Sequence, residues 1–383
     1  MSIYLDYNSS APIDPRVLES MIDIYKNTYG NADSRTHNYG VNARKIVENA
    51  RQQIANLTGC RKDEVFFTSG STESNNIAVL GLQSYAKASG KKHIITSSIE
   101  HKAILHTVRS LQKDGFQVDL INPGVDGRIR VEDVLSKVSA NTLFVSIMHV
   151  NNETGIIQPV KEIGDALHET DVLFHTDATQ SAGKLVDEIR DLHYDIMTFS
   201  AHKMSGPQGI GALILRKKRY KLPPVKAIMY GGEQEHSIRP GTLPVALIAG
   251  FGKACEIAGA EYKLHHKACQ KIKETLIQML NHSGLIYKIN GNHSYTVPNT
   301  INFSLKDISS EALMLASRQY CGISNGSACN SQEYKPSYVL TAMGIPSDEI
   351  EHSLRISWGP SVDLKTFRSE FSKLLDVAKS LVL

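Results

Sequence analysis

Three apolar runs in this chain end in residues that could do chemistry. Val172-Leu173-Phe174-His175 runs into Thr176-Asp177-Ala178-Thr179-Gln180, which sets a carboxylate at the edge of a buried strand. Ile196-Met197-Thr198-Phe199 leads to Ser200-Ala201-His202-Lys203, which sets an amine 26 positions after that carboxylate. Val65-Phe66-Phe67-Thr68 ends in Ser69-Gly70-Ser71-Thr72, a small hydroxyl-rich turn ahead of a helical stretch. Each has a plainer use. Asp177 can cap a helix, Lys203 can sit in water, and the glycine turn can cap with Glu73 as dipole partner. Together their chemistry is more specific. Partial burial lowers a lysine toward the neutral amine that attacks an aldehyde. A nearby carboxylate keeps a pyridine nitrogen protonated, so that the ring accepts electrons. Hydroxyls and N–H groups at a helix N-terminus hold a phosphate. Aldehyde, pyridine and phosphate in one molecule describe pyridoxal phosphate.

A further reactive group is Cys329, within Ser324-Asn325-Gly326-Ser327-Ala328-Cys329-Asn330-Ser331-Gln332. A free cysteine is most often a small buried hydrophobe, which suits Cys255 and Cys269 in a helical stretch, and Cys60. The neighbours of Cys329 cannot pack a core, and the run reads as a mobile loop. Cys321, eight positions earlier, reads as structural, with a sulfur relay as the alternative.

The elements that must position these groups follow from periodicity. Strand-like runs, including His93-Ile94-Ile95-Thr96 and Leu143 to Met148, alternate with helical stretches such as those around Asn76-Leu80 and Ala103-Leu105. That alternation predicts an α/β fold with a mainly parallel sheet, whose ligands sit at the strand ends. From about Lys253 the pattern becomes a long helix and then shorter strands such as Thr300-Ile301-Asn302-Phe303. We expect a large domain over 14–255, and a small one made of 1–13 and 256–383 that carries the Cys329 loop.

Composition narrows the setting. A net charge of +3 (42 basic, 39 acidic) is too small to imply a polyanion partner, and direct nucleic-acid binding is not expected. The basic run Arg216-Lys217-Lys218-Arg219 reads as a solvated turn. Five cysteines without CxxC or zinc spacing argue for a reducing compartment and no metal site. With no leader-like start and no apolar stretch of the ~18 residues a membrane span needs, the expectation is a soluble cytoplasmic protein.

Stretches along nearly the whole chain carry a resemblance. They are Tyr4-Leu5-Asp6-Tyr7-Asn8, Tyr29-Gly30-Asn31, Phe67 to Asn75, Glu100-His101-Lys102, Met148 to Gly155, His175 to Gln180, Ser200 to Lys203, Arg239-Pro240-Gly241-Thr242, Ser324 to Cys329 and Leu354-Arg355-Ile356-Ser357. In this order and spacing the chain resembles the NifS/IscS-type cysteine desulfurases, pyridoxal-phosphate enzymes of aminotransferase-like fold (fold type I). The resemblance implies that Lys203 binds the cofactor, Asp177 pairs with its pyridine nitrogen and His101 stacks on the ring and exchanges protons. It gives Asn152 and Gln180 the ring substituents, Gln180 at the phenolic oxygen. Ser71, Thr72, Ser200 and His202 would take the phosphate, with Thr242 supplied by the partner in a homodimer. Arg355, helped by Asn31, would bind the carboxylate of L-cysteine. Cys329 would take the substrate's sulfur as a persulfide for an acceptor protein. Only 28 residues follow Arg355 (383 minus 355), whereas the housekeeping iron–sulfur members have a longer docking tail. DNA phosphorothioation, tRNA thiolation or a specialised cluster is then the expected destination. The rivals are a small-amino-acid aminotransferase or selenocysteine lyase, which needs no loop cysteine, and a non-catalytic scaffold, which could dispense with Lys203 and Asp177.

Overall fold

The computed structural model describes residues 2–326 and 336–382. Cys329 lies outside the described residues. In chain order the strands are β1 (Ile3–Tyr4), β2 (Val65–Thr68), β3 (His93–Ser97), β4 (Gln117–Ile121), β5 (Thr142–Ser146), β6 (Leu173–Asp177), β7 (Ile196–Ser200), β8 (Gly211–Leu215), β9 (Tyr287–Ile289), β10 (Thr300–Leu305), β11 (Cys321–Gly322) and β12 (Ser353–Ser357). Seven of them form one sheet in the order β2-β8-β7-β6-β5-β3-β4. All neighbours in it are parallel except β8, which runs antiparallel to β2 and β7. The expected α/β fold with a mainly parallel sheet is the fold observed.

The central strands are buried on both faces, which is why they read as unbroken apolar runs rather than alternating ones. Helices cover both faces, and two cores result, one around Phe67, Phe174 and Phe199, the other around Phe66, Phe144 and Leu213. A further core surrounds the antiparallel sheet β12-β10-β9, with Phe303, Trp358, Phe367 and Phe371.

The helix Val245–His282 joins these cores. At 1.5 Å per residue it is about 57 Å long. It starts directly after Pro244, earlier than the expected Lys253, because Val245 to Ala258 already pack on the large sheet's core. Its later turns supply Cys269, Ile272, Leu276 and Leu280 to the other core.

The N-terminal segment belongs to both regions. β1 pairs with β11, and Ile3 and Leu5 pack in the core of Phe303 and Trp358. Beyond it, the Asn8 amide donates to Ser357 Oγ, and the Asn8 side chain bonds Thr300 Oγ1 at 3.0 Å. Three residues later the Ala11 N–H donates to the His202 carbonyl, at the turn that carries Lys203.

Where β2 turns into the helix Ser71–Leu80, Gly70 has φ +153°, a conformation that only glycine adopts easily. The start of β8 lies against this turn: a Cβ on Gly211 would come within 2.6 Å of Gly70 Cα and 2.8 Å of the Phe199 carbonyl oxygen. These contacts are backbone and cannot swing aside. Gly211→Ala should therefore destabilise the fold by about 1–3 kcal/mol and loosen the Ser69-Gly70-Ser71 turn. Urea unfolding and retention of bound cofactor on gel filtration would measure the two effects.

Candidate active site

A cavity of about 520 Å³ opens at the C-terminal edge of the large sheet. It is lined by Ser71, Thr72, His101, Asn152, Asp177, Gln180, Ser200, His202, Lys203 and Arg355, all singled out in the sequence. β6 ends on Asp177 and β7 on Ser200, so adjacent parallel strands deliver the acid and the Ser200–Lys203 turn side by side. Arg355 arrives from β12 in the other sheet.

Asp177 is held from two sides. Its Oδ2 accepts from Asn75 Nδ2 at 2.7 Å, and its Oδ1 from the Thr179 N–H at 2.9 Å. Asn75 is fixed in turn, because its Oδ1 accepts from the Thr198 hydroxyl. The carboxylate is therefore positioned by buried partners before anything enters the cavity.

Lys203 Nζ donates to the backbone carbonyls of Asn8 at 2.6 Å and Ser9 at 2.5 Å. Burial, helped by the like charge of Arg355 and opposed by Asp6 and Asp177, lowers its pKa to about 8. Burial is also the main cause that lowers His202 to about 4 and His101 below the ordinary imidazole value. His101 caps the helix Lys102–Lys113, its Nδ1 accepting from the Ala103 N–H at 3.2 Å. The helix-start reading and the cavity reading are both satisfied. A neutral ring accepting at Nδ1 carries its proton on Nε2.

At the opposite wall, the Ser71 N–H donates to Ser200 Oγ at 2.7 Å, and that hydroxyl donates to Ser71 Oγ at 2.8 Å. Arg355 Nη2 pairs with Asp6 Oδ1 at 2.6 Å, and Nη1 donates to the Asn152 carbonyl at 3.0 Å. Arg355 Nε, Asn152 Oδ1 and Thr179 Oγ1 are buried with no hydrogen-bond partner among the described residues. Buried polar atoms are rarely left so, and all three belong to residues that line this cavity.

Asn31 and Thr242 do not line the cavity; both are exposed. They sit near one another, since Gln234 donates to Asp33 Oδ2 and accepts from the Gly241 N–H. Cys329 lies outside the described residues, but Ser324 and Gly326 line the cavity, and Ser324 is bridged to Arg355 through both backbone groups. Cys321 is buried in β11, where burial pushes its thiol up to about 12. The cysteines at 60, 255, 269 and 321 are free thiols.

Sequence reasoning gave no role to Asp6, Asn8, Asn75, Glu100 or Glu153. Asp6 carried the same signal as Asp177, an acid closing a short apolar run. Glu100 is buried behind His101, where it accepts from the Ser97 hydroxyl and the Met148 N–H; burial raises it to about 8. Glu153 accepts from the Ser337 hydroxyl and is raised by burial to about 7. The two carbonyls over Lys203 had no signal, because a backbone oxygen has no residue type.

Residues 3–365 match the Aminotransferase class-V family. The chain belongs to that family. It is 41% identical over 359 residues to the cysteine desulfurase IscS of Anaeromyxobacter dehalogenans, covering 93% of this chain and 87% of that one. A solved NifS-like protein superposes with a TM-score of 0.91 at 32% identity, over 99% of this chain and 100% of that one. SspA, solved in complex with cysteine, gives 0.80 at 34% identity, over 93% of this chain and 99% of that one. The family's enzymes depend on pyridoxal phosphate, and so does this one. The residues present fit that group: an amine depressed to about 8, a fixed carboxylate, a serine pair at a helix N-terminus, and polar atoms without partners in one cavity.

Lys203 also makes a stability prediction for the protein without cofactor. An unfolded lysine titrates near about 10.4, and the folded one at about 8. Between these values the unfolded chain binds more protons, so stability rises with pH across that window. The cost of the buried cation is full below about 8 and gone above the unfolded value. Cofactor-free Lys203→Met should melt higher than wild type at pH 7, with the gap closing as pH rises through the window. Scanning calorimetry over pH 7 to 10 checks this; a constant gap would refute it.

Proposed function

We propose that the protein is a cysteine desulfurase, which converts L-cysteine to L-alanine and passes the sulfur to Cys329. The observation that carries this reading is that the backbone leading to Cys329 lines the same cavity as Lys203 and Arg355 and is zipped to Arg355.

Asp177 would face the pyridine nitrogen, Ser71, Thr72, Ser200 and His202 the phosphate, Asn152 and Gln180 the ring substituents, and His101 the ring face. Bound there, pyridoxal phosphate supplies an electron sink that makes the substrate's α-proton removable and its C–S bond breakable. Arg355 binds the substrate carboxylate, using the guanidinium hydrogens that Asp6 and Asn152 leave over. Lys203, with its pKa near the working pH, takes the α-proton. His101 moves a proton at Nε2. The Cys329 thiolate attacks the substrate sulfur: an S–S bond forms, the C–S bond breaks, and its electron pair stays with the substrate carbon. That carbon is then protonated, Lys203 gives a proton back to the α-carbon, and alanine leaves Cys329 as a persulfide. Electropositive groups near Cys329 would favour its thiolate.

Beyond the reaction, the reading includes a homodimer. Asn31 and Thr242 lie on a face that also exposes Tyr29, Tyr39, Met229 and Tyr230, and Arg239 is tied to Glu73 at the rim of the cavity. Pairing across this face would cover it and bring Thr242 to a partner's phosphate site. The persulfide would go to an acceptor protein serving iron–sulfur assembly, tRNA thiolation or DNA phosphorothioation in the cytoplasm. Among the described residues no helix is long and apolar enough to cross a membrane.

The test is alanine and sulfide release from L-cysteine with a thiol reductant. Wild type should release both in equal amounts, and Cys329→Ala neither; a Cys329→Ala enzyme that matched wild type would show that Cys329 is not the nucleophile and move the reading to a generic pyridoxal-phosphate lyase. Arg355→Lys keeps the charge but loses the planar fork. It should weaken substrate capture by about 1.5–3 kcal/mol, a fall of about 10- to 150-fold in kcat/KM carried by KM.

A further inference from the structure

Lys184 is a half-buried cation that the proposed chemistry does not use. The turn after β6 brings it to Gln180. The Ala178 carbonyl accepts from the N–H groups of Ser181 and Ala182, the Ser181 carbonyl from those of Lys184 and Leu185, and Gly183 takes φ +74°. As a result Lys184 Nζ donates to Gln180 Oε1 at 3.3 Å, while Gln180 Nε2 donates to the Asn8 carbonyl at 3.0 Å.

These two contacts fix the sense of the amide. An ammonium can only donate and a carbonyl can only accept. Reversed, the amide would set N–H against the ammonium and oxygen against the Asn8 carbonyl. Nε2 has a second hydrogen, and Gln180, Asn8 and Lys203 all line the large cavity. Lys184 itself lines a different, smaller cavity of about 160 Å³, among Tyr7, Tyr262, Cys269 and Trp358. There burial, and then the like charge of Lys203, lower its pKa to about 8. Such a site is an unfavourable place for a cation kept only for solubility.

We propose that Lys184 is a positioning residue. By holding Oε1 of Gln180, it commits the amide nitrogen to the cavity, where its free N–H meets the anionic ring oxygen of pyridoxal phosphate. This rests on the cofactor placement proposed above. Without Lys184 the amide can turn and present its oxygen to that anion. A donor at the ring oxygen weakens that oxygen's hold on the proton it shares with the Lys203–cofactor nitrogen, and so lowers the pH midpoint of the visible chromophore.

The experiment is a pH titration of visible absorbance on cofactor-loaded wild type, Lys184→Met, Lys184→Arg, Gln180→Ala and the Lys184→Met/Gln180→Ala double variant. Lys184→Met should raise the midpoint by on the order of one unit, and Lys184→Arg should stay near wild type. Gln180→Ala should also raise it, and on that background Lys184→Met should add little, because both changes remove one interaction. An undiminished Lys184→Met effect on the Gln180→Ala background would overturn the proposal, since the ammonium would then act by charge alone. An unmoved midpoint in Lys184→Met would also overturn it. If wild type forms no visible chromophore with pyridoxal phosphate, the cofactor placement itself has failed, a result separate from both.

Discussion

Lys203 must be taken far enough out of water to give up its proton near neutral pH, yet remain solvated enough to stay inside the fold. Desolvation alone would make the amine a poor resident. Two backbone carbonyls from Asn8 and Ser9 accept its hydrogens, and the carboxylates of Asp6 and Asp177 oppose the lowering that burial and Arg355 impose. The value of about 8 is the balance among these effects. Most of the surrounding architecture can be understood as what supplies that balance.

The N-terminal segment is the main supplier. It begins in a strand paired with β11, crosses β10 and β12 through the backbone and side chain of Asn8, and ends on the turn of Lys203. One carbonyl, that of Asn8, serves both Lys203 and Gln180. Asp6, two residues before it, neutralises Arg355 where β12 meets the cavity. The segment therefore couples the antiparallel sheet to the parallel one through hydrogen bonds and charge as well as apolar packing.

The buried acids around the cavity show the same economy of charge. Glu100 and Glu153 are raised to about 8 and about 7, mainly by burial. At neutral pH Glu100 is mostly in the acid form and Glu153 about half so; Glu100 accepts from the Met148 N–H, and Glu153 from the Ser337 hydroxyl.

The sequence by itself determined the chemistry-bearing types and the strands that end on them. Asp177, Lys203, Ser71 and Thr72 were legible because buried parallel strands are written as apolar runs, and sheets of this kind bind ligands at strand ends. The α/β fold followed from the same periodicity. Tertiary structure alone decided how far these residues were shifted and which way they faced. The carbonyls of Asn8 and Ser9 have no sequence signature, the Arg355–Asp6 pair spans 349 positions, and the sense of the Gln180 amide depends on a lysine one turn on and a backbone oxygen 172 positions away. Side-chain type is local information. Desolvation and hydrogen-bond direction are set by whatever the fold packs alongside, and that is known only once distant segments have met.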